Sequence, residues 1–251
     1  MKTFGQLHTS IHATRSEAGR AAALRVQSTI AQACSARGEA RVIFACAPSQ
    51  DEFIEALLTL DVDWARVVVF HMDDYVGLTA DQPQSFRHYL KQHLLSRVPA
   101  VKAFHPIGAE NPDLAAECAR YSALLREKPI DLVCLGIGEN GHIAFNDPPV
   151  ADFHDPALIK PVEIDAACRQ QQVNDGCFPN LAAVPTLALS LTIPALCGAR
   201  ALSCVVPGPR KAEAVRATLL GPIETSCPAS ILRQHPDAVL YIDHASASLL
   251  D

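Results

Sequence analysis

No Cys-x-x-Cys pair occurs among the nine cysteines, and their number is odd. That spacing leaves out the usual zinc frameworks and gives no sign of a disulfide scaffold. The expectation is a set of reduced thiols, most of them inside apolar runs, in a cytoplasmic protein. An excess of positive charge is also missing. Lys and Arg number 21 against 27 Asp and Glu, for a formal net charge of −6. This argues against a nucleic-acid partner. No apolar run approaches the roughly 18–20 residues of a membrane span, and the first residues have no apolar core of the kind a secretory leader carries. No Gly-x-Ser-x-Gly elbow is present, which removes the ordinary serine hydrolases. Repeats, low-complexity tracts and linkers are absent too, so one domain over residues 1–251 is expected.

What is present alternates. Residues 16–37 are alanine-rich and read as a helix, with Ser16 as N-cap and Gly38 past the end. Residues 41–45 and 66–70 are short apolar or β-branched strands. Between them Ser49-Gln50-Asp51-Glu52 has the capping-box pattern ahead of a helical stripe of Phe53, Ile54, Leu57 and Leu58. Further helices are expected over 85–95, from Asn111-Pro112 to about 127, over 165–173 and over 211–220. Further strands are expected over 130–135, 158–164, 186–192, 201–206 and 238–242. Strands alternating with helices predict an α/β fold whose parallel, doubly wound sheet carries helices on both faces.

In such sheets ligands sit at the carboxyl ends of the strands. Three polar clusters directly follow predicted strands: Cys46 to Ser49, Asp73 to Tyr75, and Gly136 to Asp147. The fold should bring them onto one rim. His142, in a glycine loop after a buried strand, suits a proton shuttle near neutrality, and Asp147 can orient it. Asp73 is the candidate general base, while Asp74 reads equally well as a turn cap. Ser49, at a predicted helix start, can hold an anion with its hydroxyl and the neighbouring amides. Lys211 supplies a point charge and Arg169 is a third cation. Taken singly each is an ordinary surface cation; together in an acidic chain they favour a sugar phosphate or similar anion. Gly136-x-Gly138-x-x-Gly141 formally matches a dinucleotide fingerprint. It lies mid-chain, however, and Pro148 and Pro149 stop any long helix after it, so nicotinamide is set aside.

The segment from Gly136 through His142 to Pro148 resembles the signature loop of glucosamine-6-phosphate deaminases. His71-Met72-Asp73-Asp74-Tyr75-Val76-Gly77-Leu78, the Val184 to Thr192 stretch, Lys211-Ala212 and the Ser230 to Pro236 stretch are similar in order. The resemblance implies a Rossmann-like three-layer α/β/α sandwich with a mostly parallel sheet. It implies cofactor-free and metal-free conversion of a hexosamine 6-phosphate to a ketose phosphate and ammonia. His142, with Asn140 and Asp147, would open the sugar ring. Asp73 would move a proton between carbons 2 and 1, with Asp74 and Tyr75 in support. Ser49, Arg169 and Lys211, with Ala47, Pro48, Gly136 and Gly138, would hold substrate and phosphate. Three positions depart from the pattern: Asn140 for an Asp, Asp147 for a Glu, and Cys46-Ala47-Pro48-Ser49 for a glycine-rich Thr loop. They leave open galactosamine 6-phosphate, another sugar-phosphate isomerisation, a 6-phosphogluconolactonase-like hydrolysis and a non-catalytic sensor. A homo-oligomer is also left open.

Overall fold

The computed structural model describes residues 2–250. A short hairpin, β1 (Lys2–Phe4) and β2 (Leu7–His12), leads into α1 (Arg15–Arg37). Thr14, not Ser16, caps this helix. Its side chain accepts from the Glu17 amide while the Glu17 carboxylate accepts from the cap backbone. The reciprocal box outcompetes a lone serine two residues on. Gly38 closes the helix in the left-handed conformation, as expected.

Then follow β3 (Ala40–Phe44), a 3-10 turn (Pro48–Gln50), α2 (Asp51–Leu58), β4 (Val67–His71) and β5 (Asp73–Tyr75). The expected 85–95 helix is α3 (Phe86–Leu90) running into a π-helical turn (Lys91–Leu95). A strand the sequence hid, β6 (Ala103–His105), precedes α4 (Leu114–Arg126). Asp113 caps α4, its carboxylate accepting from the Ala116 amide, and Asn111 instead accepts from the Asp113 amide. The chain continues through β7 (Leu132–Leu135), β8 (Ile159–Glu163), α5 (Ala166–Asn174), β9 (Leu187–Leu191), α6 (Ile193–Cys197), β10 (Ala201–Val206), α7 (Ala212–Leu220) and β11 (Ala238–Asp243).

The central sheet has eight strands in the order β1-β2-β11-β10-β7-β3-β4-β6. All neighbours are parallel except the β1–β2 hairpin at one edge. Its middle strands are buried from end to end, which is why they read as unbroken apolar runs instead of alternating ones. One face packs the small-residue stripe Ala18, Ala22, Val26, Ile30 and Ala33 of α1 together with Phe53, Ile54 and Leu57 of α2. The other face packs Tyr121 and Leu125 of α4 and Val215 and Leu219 of α7. The result is the expected three-layer sandwich.

One expectation fails in detail. Strands β5, β9 and β8 do not join the parallel sheet. They form a separate antiparallel sheet in that order, with its own core of Tyr75, Phe145, Val162, Phe178 and Ala188. Asp73 pairs with Ser190 at its edge. No helix among the described residues is long and apolar enough to cross a membrane.

Candidate active site

The carboxyl ends of β3, β4 and β7 open onto one cleft. Ala47, Ser49, Asp73, Gly136, Gly138 and Lys211 line it. The three polar clusters therefore do meet on one rim. Parallel register forces this: β7 pairs with β3, and β3 with β4, so their exits lie side by side.

Asp73 is buried at 6% exposure. Among the described residues nothing donates to its carboxylate. Burial, then the charge of Asp74, pushes its carboxyl well above the usual range, so the ionised form is an avid proton acceptor. Asp74 points the other way and is fully engaged. It accepts from the amides of Tyr75 and Phe86, from Ser85 Oγ at 2.9 Å and from Arg87 Nε at 2.8 Å. It anchors the start of α3, the turn-capping reading of that residue. Tyr75 is likewise a core ring, packed on Phe86, Phe145 and Phe178 with centroids 5.1–5.3 Å away.

The glycine loop after β7 folds back on itself. Gly138 N donates to His142 O at 2.9 Å, and Gly141 turns at φ +84°. A Cβ on Gly138 would stand 2.1 Å from His142 Cε1, so only glycine lets the imidazole lie across the loop. His142 Nδ1 lies 2.7 Å from Asn140 Oδ1 and 3.0 Å from Asp147 Oδ1. Asn140 Nδ2 donates to Asp147 at 2.9 Å, which fixes the amide so that its oxygen faces the ring. Both neighbours of Nδ1 are acceptors, so Nδ1 carries the proton and Nε2 the lone pair. Burial pulls the Asp147 carboxyl up. The hydrogen bond and charge of His142 and the Asn140 and Asp165 donors outweigh it and hold the group below its ordinary value. The expected His–carboxylate pairing is present, with Asn140 as the clip between the two. Ala144, at φ +50°, is the one non-glycine residue in the left-handed region among the described residues.

The loop is tied to the small sheet. Phe145 N donates to Ser190 Oγ at 3.1 Å, and Asn146 Nδ2 donates to Leu191 O at 2.8 Å.

The anion end is built around Ser49. No side-chain cap forms there, because Pro48 makes a 3-10 turn and α2 begins only at Asp51. Tyr89 Oη donates to Ala47 O at 3.0 Å and Arg15 donates to Pro48 O, pinning the turn from two sides. Pro48 faces the adjoining cleft with Arg210, not the one Asp73 lines. Gln50, whose residue type carries no chemical signal in the sequence, donates to Ser49 Oγ and to Val205 O, both at 3.2 Å. That leaves the Ser49 hydroxyl proton free to point outward. Lys211 is 8% exposed, and among the described residues no acceptor holds its ammonium. Burial lowers its pKa, as for a charge waiting for a counter-ion. Arg169 does not reach this wall. Its Nη2 donates to Leu181 O at 2.7 Å and Val184 O at 3.0 Å, tying down the segment after α5.

Two contributors besides Gln50 lacked a local signal. Gln171 Oε1 accepts from Glu139 N at 2.8 Å, and Cys168 Sγ lies 3.8 Å from His142 Nε2. Both come from α5 and meet the loop only through the fold.

A family model described as glucosamine-6-phosphate isomerases/6-phosphogluconolactonase matches residues 13–163. The glucosamine-6-phosphate deaminase of Listeria innocua is 38% identical over 214 residues, covering 85% of this chain and 89% of that protein. A solved monomeric glucosamine-6-phosphate deaminase superposes with a TM-score of 0.88 at 28% identity, over 96% of this chain and 99% of that one. A 6-phosphogluconolactonase from Shewanella baltica shares the fold, with a TM-score of 0.75 at 20% identity over 96% and 98% of the two chains.

Proposed function

The chain belongs to the family of glucosamine-6-phosphate isomerases and 6-phosphogluconolactonases, and on that premise we propose that it isomerises and deaminates a hexosamine 6-phosphate, releasing ammonia and a ketose 6-phosphate. The observation that carries this reading is the shared cleft wall. It puts a buried carboxylate with no donor, Asp73, beside the glycine loop that carries His142, whose Nε2 meets only the weakly donating Cys168 thiol among the described residues.

Lys211 and the Ser49 hydroxyl take the phosphate, the ammonium gaining the counter-ion it lacks. His142 Nε2 takes the anomeric hydroxyl proton and returns it to the ring oxygen, opening the sugar. Asp147 and Asn140 steady the imidazolium that forms in between. Asp73 removes the proton from carbon 2 and delivers it to carbon 1 by way of an enolamine. Water adds to the resulting imine carbon, and the amine leaves as ammonia. Proton transfer alone drives these steps. The nine free cysteines support a cytoplasmic setting.

The test is ammonia release from glucosamine 6-phosphate and galactosamine 6-phosphate, run beside hydrolysis of 6-phosphogluconolactone. One of the amino sugars is expected to turn over and the lactone to stay intact. Silence on both amino sugars sinks the reading. Asp73→Asn should also abolish solvent hydrogen exchange at carbon 2; exchange at the native rate would remove Asp73 from that role.

A further inference from the structure

Cys168 takes no part in this chemistry, yet its thiol is aimed at the catalytic imidazole. It is 1% exposed, and its Sγ lies 3.8 Å from His142 Nε2. One donor atom each from His142, Asp147 and Cys168 lies within 4.8 Å of the other two. Zinc holds a thiolate at about 2.3 Å and an imidazole nitrogen at about 2.0–2.1 Å, so tetrahedral angles set the two ligands about 3.6 Å apart. The separation found differs from that by a few tenths of an ångström. The nitrogen facing the sulfur is the one with the lone pair, because Nδ1 is committed to Asn140 and Asp147. A carboxylate behind a ligating imidazole is the usual support of such a site.

We propose that a thiophilic divalent cation, typified by Zn²⁺, binds Cys168 Sγ and His142 Nε2 while Asp147 supports the imidazole from Nδ1, and that it inhibits the enzyme by occupying the nitrogen the ring-opening step uses. Binding releases the thiol proton to solvent and moves no electrons; water fills the remaining positions. The inhibitory half rests on the deaminase reading, and the binding half does not. Cys168 belongs to α5 and His142 to the loop after β7. The ion would therefore also rivet the helix to the loop.

The full chain, stripped with chelator, is titrated with Zn²⁺ against a chromophoric competitor, and Cd²⁺ is followed by its ultraviolet thiolate charge-transfer band. Wild type is expected to take up one ion per chain more than Cys168→Ala, and the Cd²⁺ band should shrink accordingly. The Zn²⁺ concentration for half-inhibition of ammonia release should rise at least tenfold in Cys168→Ala and less in Cys168→Ser. Cys204→Ala, a buried thiol on β10, should match wild type throughout. Equal uptake and equal inhibition in wild type and Cys168→Ala overturn the site. Uptake through Cys168 in a protein that deaminates nothing upholds the site and fails the deaminase reading. Turnover with no Cys168-dependent uptake does the reverse.

Discussion

His71 holds the backbone of Asp73: its Nδ1 donates to the Asp73 carbonyl at 2.9 Å. The direction is settled on the other side of the ring, where Nε2 accepts from the Ile107 amide at 2.8 Å. The imidazole thus braces the candidate base against the turn after β6. His71→Gln should leave KM close to wild type and lower kcat about tenfold to a hundredfold, the scale of a small misplacement of a reacting group. An unchanged kcat would make the brace irrelevant to the chemistry.

The same histidine should shape acid stability. Burial holds its folded-state pKa down to about 4, against an ordinary 6.5. Between those values the unfolded chain binds the extra proton, so the contribution is complete above about pH 6.5. It drains away as pH falls toward about 4, by up to about 3 kcal/mol. Urea unfolding at pH 7 and pH 4.5 should show a smaller difference for His71→Gln than for wild type. An equal difference would locate the acid lability elsewhere.

Gly138→Ala should separate folding from activity. The added Cβ collides with the ring of His142, not with backbone. The ring can swing aside and the fold survive, but the imidazole then leaves its place. Activity should fall about a hundredfold or more with an unchanged circular dichroism spectrum. Native activity would mean that the imidazole need not lie across the loop.

Lys211→Met should trade the other way. It removes a buried ammonium that no acceptor holds, so stability should hold or rise. KM for the phosphorylated sugar should rise about tenfold to a hundredfold, the worth of a hydrogen bond to a charged group. Competition by inorganic phosphate should weaken in parallel. Loss of stability with unchanged KM would contradict the assignment.

Asn140→Asp would set a second carboxylate where an amide now donates to Asp147 at 2.9 Å. The two cannot both ionise at that distance without cost. One pKa rises in the folded state, so the variant should match wild type near pH 4 and lose about 1–3 kcal/mol as pH rises to 8. A deficit independent of pH would show that the cost is steric.

The rim was legible from residue order alone. A buried strand announces itself by its apolar run, and polar residues straight after it must emerge where parallel strands end. Asp73 and His142 were placed by that logic, and Lys211 by its position at a predicted helix start. The antiparallel sheet of β5, β9 and β8 did not, because strand direction is a property of pairing and none of the three strands names its partner. Arg169 misled for a related reason: a cation is easily placed on a helix, but its rotamer is chosen by two carbonyls 12 and 15 residues ahead. Gln50, Gln171 and Cys168 look like filler in the chain and acquire meaning only from what the fold sets opposite them.

Ser190 is paired with Asp73 across the small sheet and accepts from Phe145 N in the loop that carries His142. Both candidate groups are therefore tied to one short strand as well as to the large sheet from which their segments emerge. A one-residue slip in β9 would put both out of true together.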